Sequence, residues 1–535
     1  MIPSIPSELL LTIFDLAVHT PFDPEVQPLE SISSLDDLII GEPPSSTMAS
    51  IGTTTVGIHT DANYPECHLE SGIIAHETNP FTPLDISHVC KDWRKIAFSA
   101  PELWSSIYVA DGHLSSTVHL LRLWLENSGS RPLDLVFRET PGARYRYGDN
   151  SGSDATVEML KVTAAHSRRW RSFKVRLRRG RLWMNKVMEE LGGIETPLLE
   201  TLAFSFHTIS YHNGPQFHDA WIPLITGSPQ LQELQMWSSI DRSKDVLLAV
   251  PFHRLTTITL YMVSFHRDSL FLNSLRRCEV LETLTISFDR NWGVLQPPSS
   301  SDAAISVPSL RHLNLLGPLG GNPMCNLLQN LHLPSLISLW LHTRYWDLQN
   351  GERYLCTDVY MALEDLFTRS QCHLHSFKIR DEEEVGFEGR LLSILNHPGL
   401  RDLRELRVGS KVGERALEWL GGGDRTSTLP FQDLKHIHLE AFAADSKILS
   451  APVVTMIGLR IRGTGLVAKL ESLTVGFLSE TQLIYETRAW NGLVAERGRL
   501  GVDTAFYFAS NAERVRRLNS EFLYRDFSLI QGLLT

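Results

Sequence analysis

The chain has 535 residues, 43% of them hydrophobic, and a formal net charge of −11. That length exceeds what one compact core usually holds, and predicts a small module joined to a larger one. The negative balance excludes broad nucleic-acid binding and attachment to an anionic membrane surface, because both partners would repel the chain. Any basic site must therefore be local. Six cysteines, Cys67, Cys90, Cys278, Cys325, Cys356 and Cys372, occur with no C-x-x-C pair and no N-x-S/T sequon, a pattern that fits a reducing compartment. No Lys or Arg precedes Lys91, and no apolar run reaches bilayer length. A cytoplasmic or nuclear protein is expected.

In chain order, residues 2–18 (IPSIPSELLLTIFDLAV) carry Leu9, Leu10, Ile13, Phe14 and Ala17 at helical spacing, and Pro6 suits a first turn. Residues 20–80 are rich in Pro, Ser, Thr and acidic residues with no sustained period, and predict a largely disordered insertion. Beyond it, Val89, Cys90, Trp93, Ile96 and Ala97 share one helical face while Lys91, Asp92, Arg94 and Lys95 take the other. Pro101 should end that helix and start a short second one carrying Leu103 and Trp104 inward.

These pieces read I-P-x-E-L-L-x-x-I-F, then L-x-x-x-x-V-C-K-x-W-R-x-I-A and P-E-L-W. Together they resemble the F-box, in particular the F-box proteins abundant in mushroom-forming fungi. The resemblance implies a three-helix module that docks on the Skp-type adaptor of cullin-RING ubiquitin ligases. It also implies that Ile5, Pro6, Leu9, Leu10, Ile13, Val89, Trp93 and Ile96 form that contact or the core behind it. The insertion departs from the short loop of the family pattern: it is either extruded from an intact module, the mark of a degenerate one, or a product of how the chain was defined.

From Leu114 another helix begins, with Leu114, Val118, Leu121 and Leu125 on one face; it leads to a strand, LDLVF, and Thr156 to His166 is helical again. Then one signature, L-x-x-L-x-L, returns as WRSFKV, LETLAF, LQELQM, LTTITL, LETLTI, LRHLNL, LISLWL, LHSFKI, LRELRV, LKHIHL and LESLTV. Its first positions run from Trp170 to Leu470, ten intervals over 300 residues and so 30 on average. That period predicts a leucine-rich-repeat solenoid with one strand per repeat. The asparagine that commonly follows the last apolar position is missing from most copies, so an irregular horseshoe is expected. The fold class is thus α/β: a helical module at 1–19 and 81–110, the insertion at 20–80, a solenoid with a parallel concave sheet at 111–479, and a capping segment at 480–535. Ser479 and Gln482 form a capping box for a helix in that last segment.

Strand parity turns the repeats into a surface map. The fourth and sixth positions should point into the core; the third, fifth and seventh should point out. Trp237, Tyr261, Trp340 and His342 fall on the outward rows and are expected to recognise a protein client, the alternative being that neighbouring loops cover them. Arg168 to Trp183 (RRWRSFKVRLRRGRLW) is the one dense basic run, whose simplest reading is a solvated face and whose sharper reading is a site for an acidic or phosphorylated partner segment; Lys378, Arg380 and Arg407 on adjacent repeats form a second, sparser candidate and are expected among the client-binding residues.

Catalytic patterns are weak. GTGLVA at Gly463 lacks an independent βαβ setting, and the His436/His438 and His373/His375 pairs have no third ligand at diagnostic spacing. No enzyme activity, cofactor or metal is expected. The sequence points to the substrate-recognition adaptor of a ligase, with a ligase-independent repeat scaffold carrying a degenerate F-box as the alternative.

Overall fold

The structure is a computed structural model. It describes residues 7–19, 72–74, 82–110, 115–138, 151–177, 191, 193–206, 222–237, 249–263, 270–288, 304–318, 322–344, 357–381, 387–412, 414–420, 431–442, 470–477 and 503–508. The chain divides into two compact units, Met1–Leu133 and Asp134–Thr535.

In the first unit α1 is Ser7–His19, β1 Gly72–Ile74, α2 Pro83–Val89, α3 Lys91–Ser99, β2 Ser106–Ala110 and α4 Ser115–Asn127, with a 3-10 turn at Pro101–Trp104. The single helix expected across Val89 and Cys90 is two helices. Thr82 and Asp85 cap α2 reciprocally: the Asp85 N–H donates to Thr82 Oγ1 at 3.2 Å and the Thr82 N–H to Asp85 Oδ2 at 2.8 Å. Cys90 is extended (φ −158°, ψ 172°), and its Sγ accepts from the Trp93 N–H at the start of α3. A break there turns Val89 away from the face that holds Ala97. The restart at Pro101 follows expectation, with Leu103 and Trp104 both fully buried.

Trp104 is the anchor of this unit. Its Nε1–H donates to the Ala97 carbonyl at 2.8 Å, Phe98 stacks on it at 5.2 Å, and Trp124 of α4 meets it edge-on at 5.5 Å. That last contact places α4 in the first unit, although the sequence assigned residues from 111 onward to the repeats. Gly72–Ile74, inside the segment expected to lack regular structure, pairs antiparallel with β2, and Ile73 is buried opposite Val109.

The second unit opens with β3 Leu133–Arg138 and α5 Ser151–Ala164. Its repeat strands are β4 Trp170–Leu177, β5 Thr201–Phe206, β6 Glu233–Trp237, β7 Thr257–Val263, β8 Thr283–Phe288, β10 His312–Pro318, β12 Ser338–Arg344, β13 Ser376–Asp381, β14 Glu405–Val412, β15 His436–Phe442, β16 Ser472–Phe477 and β17 Asp503–Phe508. They pair in that order, and every pairing from β4 to β17 is parallel. Two short strands, β9 Ile305–Ser306 and β11 Leu331–His332, make a separate parallel pair on the connections. The protein is therefore mixed α/β with a large, mostly parallel sheet.

All the first apolar positions, Trp170 through Leu470, are at most 1% exposed, and the fourth and sixth positions from Phe173 and Val175 to Ile437 and Leu439 are buried too. β17 extends the array by one strand into the segment expected to be a cap. Two residues ahead of it, where the other repeats carry their first apolar position, the sequence has Gly501, so the leucine signature had nothing to mark it.

Two local devices recur along the repeats and set their register without asparagines. Before a strand, the chain turns: the N–H groups of Leu199, Leu231, Leu310 and Leu336 donate to the carbonyls of Thr196, Ser228, Val307 and Leu333 at 3.1–3.2 Å. Pro197, Pro229, Pro308 and Pro334 take the second position of these turns, where a fixed φ is an advantage. Next, two successive N–H groups donate to one carbonyl of the preceding repeat. Gln232 and Glu233 share Glu200 O at 2.9 and 3.0 Å, and the same fork recurs at Thr256, Glu282, Arg311, Ile337, His375, Arg404 and Lys435 as donors or acceptors. Side chains add to it: Thr196 Oγ1 and Ser228 Oγ, both buried, lie 2.7 Å apart.

On the connecting side, Arg369 of the helix Thr357–Ser370 donates to Leu331 O and Leu328 O at 2.7–2.9 Å, capping the helix Asn322–Asn330 of the repeat before it. His397 is fixed in a neutral form. Its Nδ1 accepts the Gly399 N–H at 3.1 Å, so Nε2 carries the hydrogen toward Thr368 Oγ1 at 3.1 Å. Gly399 itself admits no side chain, because a Cβ there would lie 2.9 Å from Cys372 O.

Burial lowers the His397 pKa below the ordinary histidine value, with Glu364 opposing, and burial also lowers His166 and His312. A depressed pKa means the folded state resists protonation, so the stability these groups hold is present above the unfolded histidine value and is lost as pH falls through it. Urea unfolding should show a midpoint that declines below about pH 6.5, and His397→Gln should flatten that decline. A midpoint rising on acidification over this window contradicts the assignment.

Candidate functional site

Two surfaces carry the residues singled out by the sequence, one in each unit. In the first unit α1 is apolar on two sides. Phe14 and Val18 are buried, and Phe14 meets the Trp93 ring at 4.8 Å, so the two halves of the motif pack together although the chain between His19 and Thr82 separates them. Leu9, Ile13 and Leu16, at helical spacing, instead stand 57%, 48% and 59% exposed, and Val89 is 61% exposed. Leu10, Trp93 and Ile96 are half-buried, and Ala17 is exposed. Ile5 and Pro6 lie outside the described residues.

One face had been expected to take Leu9, Leu10, Ile13, Phe14 and Ala17 together. The helix instead divides them, because the side that meets Trp93 is centred on Phe14 and Val18. A helix with a second apolar stripe facing water is an incomplete interface. The polar groups of this region are spent locally: Arg94 Nε donates to Ser87 O at 3.0 Å, and Arg131 pairs with Glu102 at 3.6 Å.

In the second unit the outward rows are in register across the sheet. Ser205, Trp237 and Tyr261 are successive partners on β5, β6 and β7. The side chains of Trp237 and Tyr261 lie outside the described residues. Asn314, Trp340, Lys378, Arg407 and His438 make the fifth-position row from β10 to β15, with His342 and Arg380 as partners beside it.

The expected exposure of Trp340 and His342 is not found: they are 2% and 1% exposed, and the two rings stack at 6.5 Å with 7° between planes. Arg380, Thr285, Ala203 and Leu316 on the outward rows are buried as well. Side chains repeating every ~4.8 Å across a parallel sheet lie against their neighbours, which covers a large ring in such a row on its two flanks. Lys378, Arg407 and His438 remain half-buried. Lys378 Nζ is 3.4 Å from Glu405 Oε1, whose other oxygen accepts from Ser376 Oγ at 2.7 Å.

The remaining polar candidates are paired. Arg168 meets Glu195 at 2.7 Å and Arg171 forks onto Asp134, which keeps Arg171 raised above its ordinary pKa. The part of the basic run past Leu177 lies outside the described residues, as does GTGLVA. His373 pairs with Asp402 at 3.0 Å, and His436 with Ser472 at 2.9 Å. Buried Cys278 and Cys372 are pushed up to about 12 and about 11 by desolvation, and stay thiols. Among the described residues no three His, Cys, Asp or Glu side chains converge on a metal-sized site, and no helix is long and apolar enough to cross a membrane.

The exposed and half-buried apolar residues should separate in experiment. Leu9→Asp and Val89→Asp remove nothing from the packed side and should shift the urea midpoint little, within about 0.5 kcal/mol. Trp93→Ala and Phe14→Ala should cost about 3 kcal/mol or more by deleting a packed aromatic. Equal destabilisation by both classes contradicts the division of α1 into two faces.

No family model matches this sequence, and no curated protein matches it. Among solved structures, a chain in the crystal structure of the Rad7 and Elc1 complex in yeast is similar over 74% of this chain and 94% of its own length, at 12% identity and a TM-score of 0.30. A likeness that slight supports no argument about fold or function.

Proposed function

We propose that the protein is a substrate-recognition adaptor of an SCF-type ubiquitin ligase. In this reading the N-terminal helices are an F-box that docks on a Skp-type adaptor. The second unit is a leucine-rich-repeat solenoid that binds the protein to be modified. The protein performs no bond chemistry itself; it works in the cytoplasm or nucleus by holding a client in reach of another subunit's active site.

The observation that carries the proposal is the second apolar stripe of α1. Leu9, Ile13 and Leu16 face solvent on a helix already seated through Phe14 on Trp93, and Val89 is exposed in the same unit. Burying each against a partner is worth roughly 1–2 kcal/mol, enough together to anchor a small helical module. The motif residues that the F-box resemblance assigns to the adaptor include three of these four.

Co-purification tests the reading. Full-length protein should elute with a Skp-type adaptor from the same cell type, and Leu9→Asp with Ile13→Asp should abolish co-elution while the urea midpoint stays near wild type. Removal of residues 20–70 should leave adaptor binding intact. A wild-type chain that does not retain the adaptor refutes the ligase role and leaves the repeat scaffold as the reading.

A further inference from the structure

α3 carries an uncompensated charge pattern. Lys91, Arg94, Lys95 and Phe98 stand at i, i+3, i+4 and i+7 and so share one face, opposite the side on which Trp93 and Ala97 turn inward. All three cations are exposed, and Phe98 is 39% exposed. The arrangement is unfavourable for the helix by itself: like charges three and four residues apart repel, and Lys91 adds charge to the end of the helix that is already positive. Arg94 turns its Nε to the Ser87 carbonyl at 3.0 Å. Among the described residues no carboxylate lies within ion-pair distance of Lys91, Arg94 or Lys95, Asp92 of the same helix included.

The richest source of carboxylates close in the chain is the stretch between α1 and β1. Residues 20–71 hold nine Asp and Glu and no Lys or Arg, so nearly all of the net charge of −11 sits there. Both ends of that stretch are fixed in the first unit: α1, which precedes it, packs on α3 through Phe14 and Trp93 at 4.8 Å, and β1, which follows it, pairs with β2. An acid between them reaches α3 as an intramolecular ligand, at the effective concentration a tether confers and without the association cost of a separate partner.

One place in the stretch matches α3 in pattern as well as in sign. Asp36 and Asp37 are the only successive carboxylates of residues 20–71, and Leu38, Ile39 and Ile40 follow them directly, with Glu42 beyond. Asp36 stands seventeen residues after His19, an extended reach of about 56 Å against a length of about 20 Å for α1. From these observations we infer that the outward face of α3 is the docking surface of the chain's own segment Asp36–Glu42. Its carboxylates meet Lys91, Arg94 and Lys95 while Leu38, Ile39 and Ile40 cover Phe98. The segment thereby shields a cationic, aromatic patch that otherwise attracts other anions. The inference is independent of the ligase reading, because the face used is opposite Trp93 and the stripe of Leu9, Ile13 and Leu16 takes no part in it.

The test uses the full-length protein without any partner. Carbodiimide coupling joins a Lys amine to a carboxylate in contact with it. At low salt it is expected to link Lys91 or Lys95 to Asp36, Asp37 or Glu42 within one chain, and the linked peptides should fade at roughly 1 M salt, where the screening length is ~3 Å. Acetylation rates of the same two lysines read the contact without coupling. Asp36→Asn combined with Asp37→Asn should speed acetylation of Lys91 and Lys95 about threefold, the loss of two exposed ion pairs. Lys435, paired with Glu471, should keep its wild-type rate. Three results overturn the inference: no linkage of Lys91 or Lys95 to residues 36–42, linkage found only between two chains, or acetylation rates that the double substitution leaves unchanged. Adaptor co-elution of the wild-type chain reads the ligase role separately.

Discussion

The second unit depends on one backbone arrangement, the fork in which two successive N–H groups donate to a single carbonyl of the preceding repeat. Glu200, Gln232, Thr256, Glu282, Arg311, Ile337, His375, Arg404 and Lys435 each supply such a carbonyl. The acceptor has two lone pairs, so it serves both donors at 2.8–3.2 Å. The fork fixes where each strand begins relative to the last one, and side-chain parity follows from that point. A slip of one residue would carry every leucine to the outer face, so the register is specified as strongly as the core is apolar.

Much of this was legible in the sequence. The eleven first positions named from the pattern are all in the core, because a leucine at fixed distance from a turn has only one place to go. Pro197, Pro229, Pro308 and Pro334 stand two residues ahead of Leu199, Leu231, Leu310 and Leu336 in the sequence, and each occupies a turn. Other features were illegible for physical reasons. The burial of Trp340 and His342 depends on what surrounds them in three dimensions, a relation that no single repeat displays. α1 has a broad apolar face, with Glu8, Thr12, Asp15 and His19 opposite it, and only the position of Trp93 selects Phe14 over Leu9 and Ile13. The break at Cys90 interrupts an unbroken helical period, since a thiol that caps α3 reads in sequence as an ordinary apolar residue. β17 follows no leucine at the position that marked the others.

The separation of α1 from α2 is less of an obstacle than it looks. The entropy of closing a loop grows only as the logarithm of its length, by about 0.6 kcal/mol for each doubling. The Phe14–Trp93 contact and the burial of Val18 act against that modest term. What the unit then offers is a packed support: α3 is tied through Ala97 O to Trp104, Trp104 meets Trp124, and α1 is seated on α3 through Phe14 and Trp93, with the outer side of α1 left facing solvent.

The central claim is that the outer side of α1 and the exposed end of α2 are where the protein meets its adaptor. Amide hydrogen exchange of the full-length protein, alone and with a saturating Skp-type adaptor, addresses it most directly. The account predicts slowed exchange confined to Ser7–His19 and Pro83–Ser99, with the repeat strands unchanged. Unchanged exchange in those helices, or protection appearing only in β4 to β16, would contradict it.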